Sequence, residues 1–147
     1  MDQISHLKFA FSISGNQLGP DSAKILAEML RVSTSMNKLN ILGNSIGDEG
    51  YEVLMKLAEE KGMLTFCGFE EGQIEADLSK KNLGPIEAKL IAHELTTGYV
   101  STSMTFLNFS SNCLCGLNEY GGGTYDATGI KAIADALSVS SSLKILK

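Results

Sequence analysis

The chain has 147 residues, of which 44% are apolar, and it carries a formal net charge of −5 with an isoelectric point near 5.0. This composition is typical of one soluble globular domain and disfavours the basic surface that binding to nucleic-acid phosphates requires. No stretch has the length of a membrane span or the basic and apolar regions of a signal peptide, so we expect an intracellular, cytoplasmic protein.

The first predicted element is a short strand in FSISGNQLG, residues 11–19, followed by a helix. Phe11 and Ile13 occupy alternating, inward positions of the strand. Asn16 is placed to hydrogen-bond the backbone where the chain leaves the strand, and Pro20 suits the first helical turn. The predicted apolar stripe of this helix consists of Ile25, Leu26, Met29 and Leu30.

The same pattern recurs 28 residues later in LNILGNSIG, residues 39–47, with Ile, Gly, Asn and Gly in place. Recurrence at a fixed spacing indicates a repeat architecture. Leu39 and Ile41 are the inward strand positions, and Asn44 takes the place of Asn16. The stripe of the following helix consists of Val53, Leu54, Leu57 and Ala58.

The pattern breaks at residues 64–78. A strand that begins at Leu64 places Cys67 and Phe69 inward, and the next strand, near Ile74, follows after only EEGQ. Parallel strands need a crossover of about a dozen residues or more. We therefore expect an irregular joint, either a hairpin or a kink that divides the chain into two shorter halves.

Two further repeats follow the joint. ADLSKKNLGPIEAKLIAHEL, residues 76–95, matches residues 11–30 with LGP and AK in register, although Lys81 replaces the asparagine, which moves to Asn82. LNFSSNCL, residues 107–114, repeats the strand and its Asn112. The inward positions of these strands are Ala76, Leu78, Leu107 and Phe109. The helix stripes consist of Leu90, Ile91 and Leu95, and then of Ile130, Ile133, Ala134 and Leu137.

Extra residues interrupt the last repeat at 115–128. Three consecutive glycines between Tyr120 and Tyr125 predict a flexible loop that carries two aromatic side chains. The loop is either a surface insertion packed by its own tyrosines or a contact for a partner. No lysine follows the glycines as a phosphate-binding loop requires, which disfavours nucleotide binding there.

The strand, asparagine, glycine and helix pattern resembles the leucine-rich repeat family, in its long ribonuclease-inhibitor type. The resemblance implies an α/β solenoid, a horseshoe fragment with parallel strands on the concave side and helices on the convex side. On this interpretation, residues 1–147 form a single leucine-rich repeat domain. Its predicted repeats cover residues 8–35, 36–63, the irregular 64–73, 74–103, 104–142 with the insertion, and a partial 143–147.

Members of this family typically bind proteins on the concave face, so the resemblance implies a partner-binding surface on the outward strand positions. Phe66 and Phe106 are the expected anchors, because strand alternation places them outward and exposed aromatic residues often dominate interfaces. The predicted concave-face residues are Ser12, Ser14, Asn40, Leu42, Phe66, Asp77, Ser79, Phe106, Asn108 and Ser110. The asparagines at 16, 44 and 112 are expected to be structural.

No arrangement of residues indicates catalysis. Cys113 and Cys115 with His6 or His93 offer too weak a ligand set for a metal, and Cys67 is expected to be a core thiol. We therefore expect no enzyme activity, no cofactor and no metal. The predicted function is a protein-interaction scaffold.

Two alternatives remain open. One is a regulator or activator of a small GTPase, which would need an asparagine or arginine presented at one rim to the partner. Arg31 is the single arginine, and its place at a predicted helix end does not favour this role. The other is a structural subunit of a large complex. An uncapped repeat end near Lys147 would leave an apolar face, which we expect either to abut another subunit or to belong to a longer natural chain.

Overall fold

The computed structural model describes residues 9–63, 65–97 and 100–147. Within those ranges the chain is mixed α/β, with four helices and two small parallel sheets. It divides into two compact units between Gly68 and Phe69, inside the joint predicted at residues 64–78. The predicted repeat start at residue 8 and the predicted strand start at Leu64 lie outside the described residues.

The first unit alternates strand and helix twice. Its elements are β1 (Phe9–Ser12), α1 (Pro20–Val32), β2 (Met36–Asn40) and α2 (Gly47–Lys61). β1 and β2 are parallel, with Ser12 opposite Asn40. After α2, Thr65 and Cys67 form only isolated bridges to β2.

The second unit begins the same alternation again. Its elements are β3 (Glu75–Asp77), α3 (Pro85–Thr96), β4 (Phe106–Asn108), α4 (Thr128–Val139) and β5 (Ile145–Leu146). The strand order is β3-β4-β5 and both pairings are parallel. Each parallel pairing is therefore connected through a helix, as parallel strands require.

The helix starts at Pro20 and Pro85 are confirmed. Each proline follows a glycine with extended backbone, and it occupies a position where a missing N–H costs no hydrogen bond. At α3, Glu87 adds a capping bond, because its Oε2 accepts from Gly84 N–H at 2.8 Å.

The inward strand positions are confirmed in the body of both sheets. The buried members are Leu39, Ile41, Cys67, Phe69, Ala76, Leu78, Leu107 and Phe109. Phe11 departs from this pattern and is 42% exposed. It lies on β1, at the end of a two-stranded sheet, so no described strand covers its other side.

The predicted helix stripes are confirmed on α3 and partly wrong elsewhere. Ile25 on α1 is 67% exposed, and Ile130 on α4 is 47% exposed. The positions that are buried on these three helices recur with i, i+4, i+7 spacing, and the prediction included only some of them. They are Ala23, Ala27 and Leu30 on α1, Gly50, Leu54 and Leu57 on α2, and Gly129, Ile133 and Ala136 on α4.

Small residues explain this shift, since helices that approach closely bury the residues with the least side chain. A Cβ placed on Gly50 would lie 3.0 Å from Ala23 Cβ, and a Cβ on Gly129 would lie 2.6 Å from Pro85 Cα. The predicted stripes included the larger buried side chains and missed the small ones, which are Ala23, Ala27, Gly50, Gly129 and Ala136.

Two predicted concave-face residues are buried, which corrects their assignment. Leu42 is 5% exposed and Phe66 is 2% exposed. Leu42 comes after β2 has ended, where strand alternation no longer applies. Around Phe66 the backbone turns instead of extending, because Thr65 Oγ1 accepts from the N–H groups of Cys67 and Gly68 at 3.0 and 2.9 Å.

Asn44 and Asn112 join neighbouring turns by the same set of bonds. Asn44 Nδ2 donates to Ile13 O and Ile41 O at 3.0 and 2.8 Å, and its Oδ1 accepts from the N–H groups of Asn16 and Leu18 at 2.9 and 3.0 Å. The side chain thereby bonds its own strand end and the preceding turn.

Asn112 repeats this arrangement in the second unit. Its Nδ2 donates to Leu78 O and Phe109 O, both at 2.8 Å, and its Oδ1 accepts from the N–H groups of Lys81 and Leu83 at 3.1 and 3.0 Å. The structural role predicted for these two asparagines is confirmed. Each uses both hydrogens and both acceptor sites of its amide.

Candidate protein-binding surfaces

The outward positions of the second sheet form one surface, called here the second strand face. It consists of Glu75, Asp77, Ser79, Phe106, Asn108, Ser110, Ile145 and Lys147. The register places Glu75, Phe106 and Ile145 in one row across the three strands. Five of these residues were predicted from sequence, and they are brought together here.

An apolar pair lies in the middle of the second strand face. Phe106 is partly exposed, and its cross-strand neighbour Ile145 is 50% exposed. Lys147 Nζ lies 5.6 Å from the centre of the Phe106 ring, within the range of a cation–π contact. The pair therefore offers apolar contact area beside a positive charge.

Polar side chains around this pair are held by the turns that follow the strands. Asn108 Oδ1 accepts from Ser110 N–H at 3.0 Å and from Ser110 Oγ at 2.8 Å. Asp77 Oδ1 accepts from Ser79 N–H at 2.9 Å. Because these side chains are already oriented, they would lose little conformational entropy when a partner contacts them.

The same bonds affect ionisation. The hydroxyl and the N–H of Ser79 hold the pKa of Asp77 below its ordinary value of 3.8, with further help from the Asn108 side chain and the charge of Lys81. Desolvation raises the pKa of Asp77 and so opposes these effects, but it is smaller than the effect of either Ser79 bond. Asp77 is therefore a negative group on this surface at neutral pH.

Sequence reasoning missed Glu75, Ile145 and Lys147. The partial repeat at residues 143–147 was predicted, but its strand register was not continued from Phe106. Extending the parallel pairing by one strand would have identified Ile145 as an outward neighbour.

The corresponding face of the first unit is smaller. Ser12 and Ser14 are exposed and their hydroxyl oxygens lie 3.4 Å apart. Asn40 is partly buried and its Oδ1 accepts from Leu42 N–H at 3.2 Å. With Leu42 and Phe66 buried, this face retains polar groups and loses both predicted apolar contacts.

The insertion at residues 115–128 forms a closed hairpin, which corrects the prediction of a flexible loop. Asn118 Oδ1 accepts from the N–H groups of Tyr120 and Gly122 at 3.0 and 2.8 Å, and Leu117 bridges to Gly123. Gly116 and Gly123 lie so close to opposing backbone that a side chain at either would clash.

The tyrosines of this hairpin do not pack it, which corrects the expectation that a surface insertion would be packed by them. Tyr120 is 89% exposed and Tyr125 is 68% exposed. The hairpin therefore presents two aromatic side chains to solvent on a hydrogen-bonded support.

Neither the arginine nor the thiols form a reactive arrangement. Arg31 Nε lies 3.0 Å from Glu60 Oε2 in an ion pair between α1 and α2. Cys113 Sγ lies 3.7 Å from Asn82 Oδ1, and no disulfide joins Cys67, Cys113 or Cys115. Among the described residues, no group of three or more His, Cys, Asp or Glu side chains is placed to hold a metal ion.

Searches against known proteins gave no match to any protein-family model and none to any curated protein. In the part of the chain that the structure describes, none of the helices combines the length and the apolar character needed to cross a bilayer.

Proposed function

We propose that this chain is a protein-interaction scaffold of the leucine-rich repeat type that binds another protein through the second strand face. The observation that carries the proposal is the pair of a partly exposed Phe106 and an exposed Ile145, set among polar side chains that are already hydrogen-bonded. Exposed apolar side chains ringed by polar groups are common at protein-binding sites.

The repeat assignment is supported by the twice-repeated asparagine arrangement and by the strand–helix alternation in each unit. Under this proposal each unit is a short stretch of repeats, and its strand face is the side that binds a partner. Parallel strands expose alternate side chains on a regular backbone. The side chains in each row therefore determine which partner binds, while the backbone conformation stays nearly the same.

Charge indicates what kind of partner fits. Glu75 and Asp77 are exposed on one side of the Phe106 ring, while Lys147 lies over the ring itself. A partner segment with an apolar side chain for the Phe106–Ile145 pair and a basic group opposite Glu75 and Asp77 would complement this surface. Such charge pairing contributes more to association rate and specificity than to affinity.

The test compares Phe106→Ala with Phe11→Ala in quantitative affinity capture from cell lysate, followed by titration calorimetry with each partner found. Phe11 is a matched control because it is also partly exposed but lies in the other unit. Retained circular dichroism would show that both variants fold.

The proposal expects Phe106→Ala to lose a specific partner that Phe11→Ala retains. Truncation of an interface anchor of this size weakens binding by about 2 kcal/mol or more, close to thirtyfold. Equal affinity of wild type and Phe106→Ala for every partner captured would contradict it.

The tyrosine hairpin is a second candidate for the same function. Its specific support is the high exposure of Tyr120 and Tyr125 on a closed, glycine-rich turn. A Tyr120→Ser and Tyr125→Ser variant, run beside the two phenylalanine variants, separates the surfaces. Loss of the partner in the tyrosine variant alone would move the binding site to the hairpin.

A further inference from the structure

One side of α1 carries three apolar side chains in solvent. Ile25, Met29 and Val32 are 67%, 40% and 82% exposed. Their i, i+4, i+7 spacing places them in one line about 10 Å long, on the opposite side of α1 from its buried residues. This line is called here the outer face of α1. Single exposed apolar residues are ordinary, whereas a contiguous group of them marks a binding surface.

The corresponding positions of α2 and α4 are polar. The buried positions align the three helices, since Ala23 on α1 corresponds to Gly50 on α2 and to Gly129 on α4. In this alignment the positions of the outer face hold exposed polar residues, which are Glu52, Lys56 and Glu59 on α2 and Lys131, Asp135 and Ser138 on α4. The apolar residues of α1 therefore replace side chains that suit a solvated helix surface.

α3 shows what happens where this position is apolar elsewhere in the chain. Its start at Pro85 corresponds to the start of α1 at Pro20, so Leu90 corresponds to Ile25. Leu90 is 1% exposed. The apolar side chain is thus covered on α3, while its counterpart on α1 is left in water.

The exposure of the outer face does not depend on α1 being the first helix. α2 has α1 packed beside it, where a Cβ on Gly50 would lie 3.0 Å from Ala23 Cβ. The corresponding residues of α2 are exposed all the same. A helix packed before α1 in the same way would therefore leave Ile25 and Val32 in solvent.

Acidic side chains border the outer face on the side nearer α2. Asp21 and Glu28 are exposed there. Lys24 pairs with carboxylates of Asp21 and of α2, and Arg31 pairs with a carboxylate of α2. Among the described residues, Glu28 forms no ion pair. The border of the outer face is therefore negative, with its positive charges already matched.

The shape of the outer face favours a helical partner. The backbone groups of α1 are bonded within the helix, so they cannot pair with the backbone of an added strand. A partner helix satisfies its own backbone bonds, and its apolar stripe of the same spacing can pack along the line of α1.

Charge distinguishes between possible occupants of the outer face. Lysine or arginine on the flank of a partner helix would complement Asp21 and Glu28. A second copy of this chain, which has a net charge of −5, would instead bring the same carboxylates to both sides of the contact. An anionic lipid surface would also be repelled by them.

We propose that the outer face of α1 binds an amphipathic helix of another protein, with an apolar stripe over Ile25, Met29 and Val32 and basic residues beside Asp21 and Glu28. This interaction surface goes beyond the proposed function, because it lies on a helix of the first unit and leaves the second strand face free for its own partner.

The test uses a display library of amphipathic helical peptides of about 18 residues, five helical turns. Every peptide carries an apolar stripe, and its flanking positions vary between lysine and glutamate. Peptides are selected on the immobilised full chain, and fluorescence anisotropy then measures the affinity of each selected peptide in solution.

The outer-face variant is Ile25→Gln with Val32→Gln. Its matched control is Ile130→Gln with Val139→Gln, which makes the same kind of change at residues of α4 that are 47% and 68% exposed. All four side chains are exposed, so both variants should fold, which circular dichroism and a thermal melt verify.

The proposal expects selected peptides to carry lysine on one flank. They should bind the outer-face variant at least about tenfold more weakly than wild type, because two apolar contacts are lost. The α4 control and Phe106→Ala should bind them as wild type does. Glu28→Gln should weaken binding about threefold and reduce its dependence on salt.

Several results would overturn the proposal. The library could yield no binder, or binders with equal affinity for wild type and the outer-face variant. Selected flanks could be rich in glutamate, which would contradict the charge argument. Loss of binding in Phe106→Ala would place the peptides on the second strand face instead.

Two control measurements test the other occupants of the outer face. A mass above 15.7 kDa in sedimentation equilibrium that the outer-face variant abolishes would assign this face to a second copy. Flotation with vesicles of phosphatidylcholine and phosphatidylserine that the outer-face variant abolishes would assign it to a membrane. Either result would overturn the proposal without bearing on partner binding at Phe106.

Discussion

The junction within the first unit and the junction within the second use the same four hydrogen bonds over different lengths of chain. Asn44 accepts from a backbone N–H 28 residues earlier, and Asn112 accepts from one 31 residues earlier. The turn geometry is therefore determined by the asparagine, while the segments between the turns absorb the difference in length.

The helix contacts beside these junctions are different. α1 and α2 approach at Gly50 and Ala23 and are flanked by exposed ion pairs. In addition, Lys61 Nζ donates to Leu30 O and Ser33 O at the end of α1. α4 approaches the backbone of Pro85 at Gly129, and much of α3 is buried. The same set of turn bonds thus occurs beside two kinds of helix packing.

The largest effect is expected where the two units differ most in aromatic burial. Phe66→Ala in the first unit should lower the free energy of unfolding by about 3–5 kcal/mol, because it empties a fully buried site. Phe106→Ala should cost clearly less, because that ring is already partly exposed. Denaturant unfolding measures both, and equal losses would show that Phe106 is a core residue.

The next largest loss of unfolding free energy is expected at the junction asparagines, and substitution of Asn44 or Asn112 should cost a similar amount. Asn44→Ala or Asn112→Ala leaves two backbone N–H groups without their acceptor, at a cost of about 2–4 kcal/mol. Asn16→Ala is the control, because its exposed amide bonds only nearby carbonyls. A loss at Asn16 as large as at Asn44 would refute the junction account.

The glycines should separate the two helix contacts. Gly129→Ala places a Cβ against the backbone of Pro85 and should destabilise the protein by about 1–3 kcal/mol. Gly50→Ala meets side-chain carbon atoms of Ile46 and Ala23 and should cost less. Differential scanning calorimetry of both variants tests the order, and a smaller effect at Gly129 would reverse it.

The smallest effect concerns pH and the start of α4. The hydroxyl and N–H of Thr128, helped by the charge of Lys89, lower the pKa of Asp126 below its ordinary value of 3.8. A lowered folded pKa means that the charged form stabilises the fold above pH 3.8 and that this contribution is lost as the pH falls further. Asp126→Ala should therefore be less stable than wild type at neutral pH.

The stability difference between wild type and Asp126→Ala should shrink as the pH falls below 3.8. Urea unfolding at a series of pH values measures the stability difference. A carboxyl-carbon NMR titration of wild type measures the pKa of Asp126. A difference independent of pH would mean that the Asp126 charge plays no part.

Much of the candidate site could be predicted because strand alternation is local. Phe106, Asn108 and Asp77 follow directly from the period of a strand and lie together as that period requires. Phe66 could not be predicted in this way, because a turn at Thr65 breaks the period. The hairpin around Asn118 was not predicted either. A run of glycines indicates a flexible loop, and the backbone contacts that close the hairpin are known only from the structure.

The sequence by itself determined the alternation of strand and helix and the helix starts at the prolines, because each depends on bonds or periods within a few residues. It also indicated the turns at Asn44 and Asn112 through their local bonds to Ile41 O and Phe109 O, whereas the bonds of these asparagines to the preceding turns are tertiary. Tertiary structure alone decided which helix face is buried, that Phe66 lies inside, and that Ile145 joins Phe106 at the surface. The helix faces depend on how closely separate helices approach, which the small side chains of Gly50 and Gly129 permit. Phe66 depends on the turn at Thr65, and Ile145 depends on the pairing of β5 with β4.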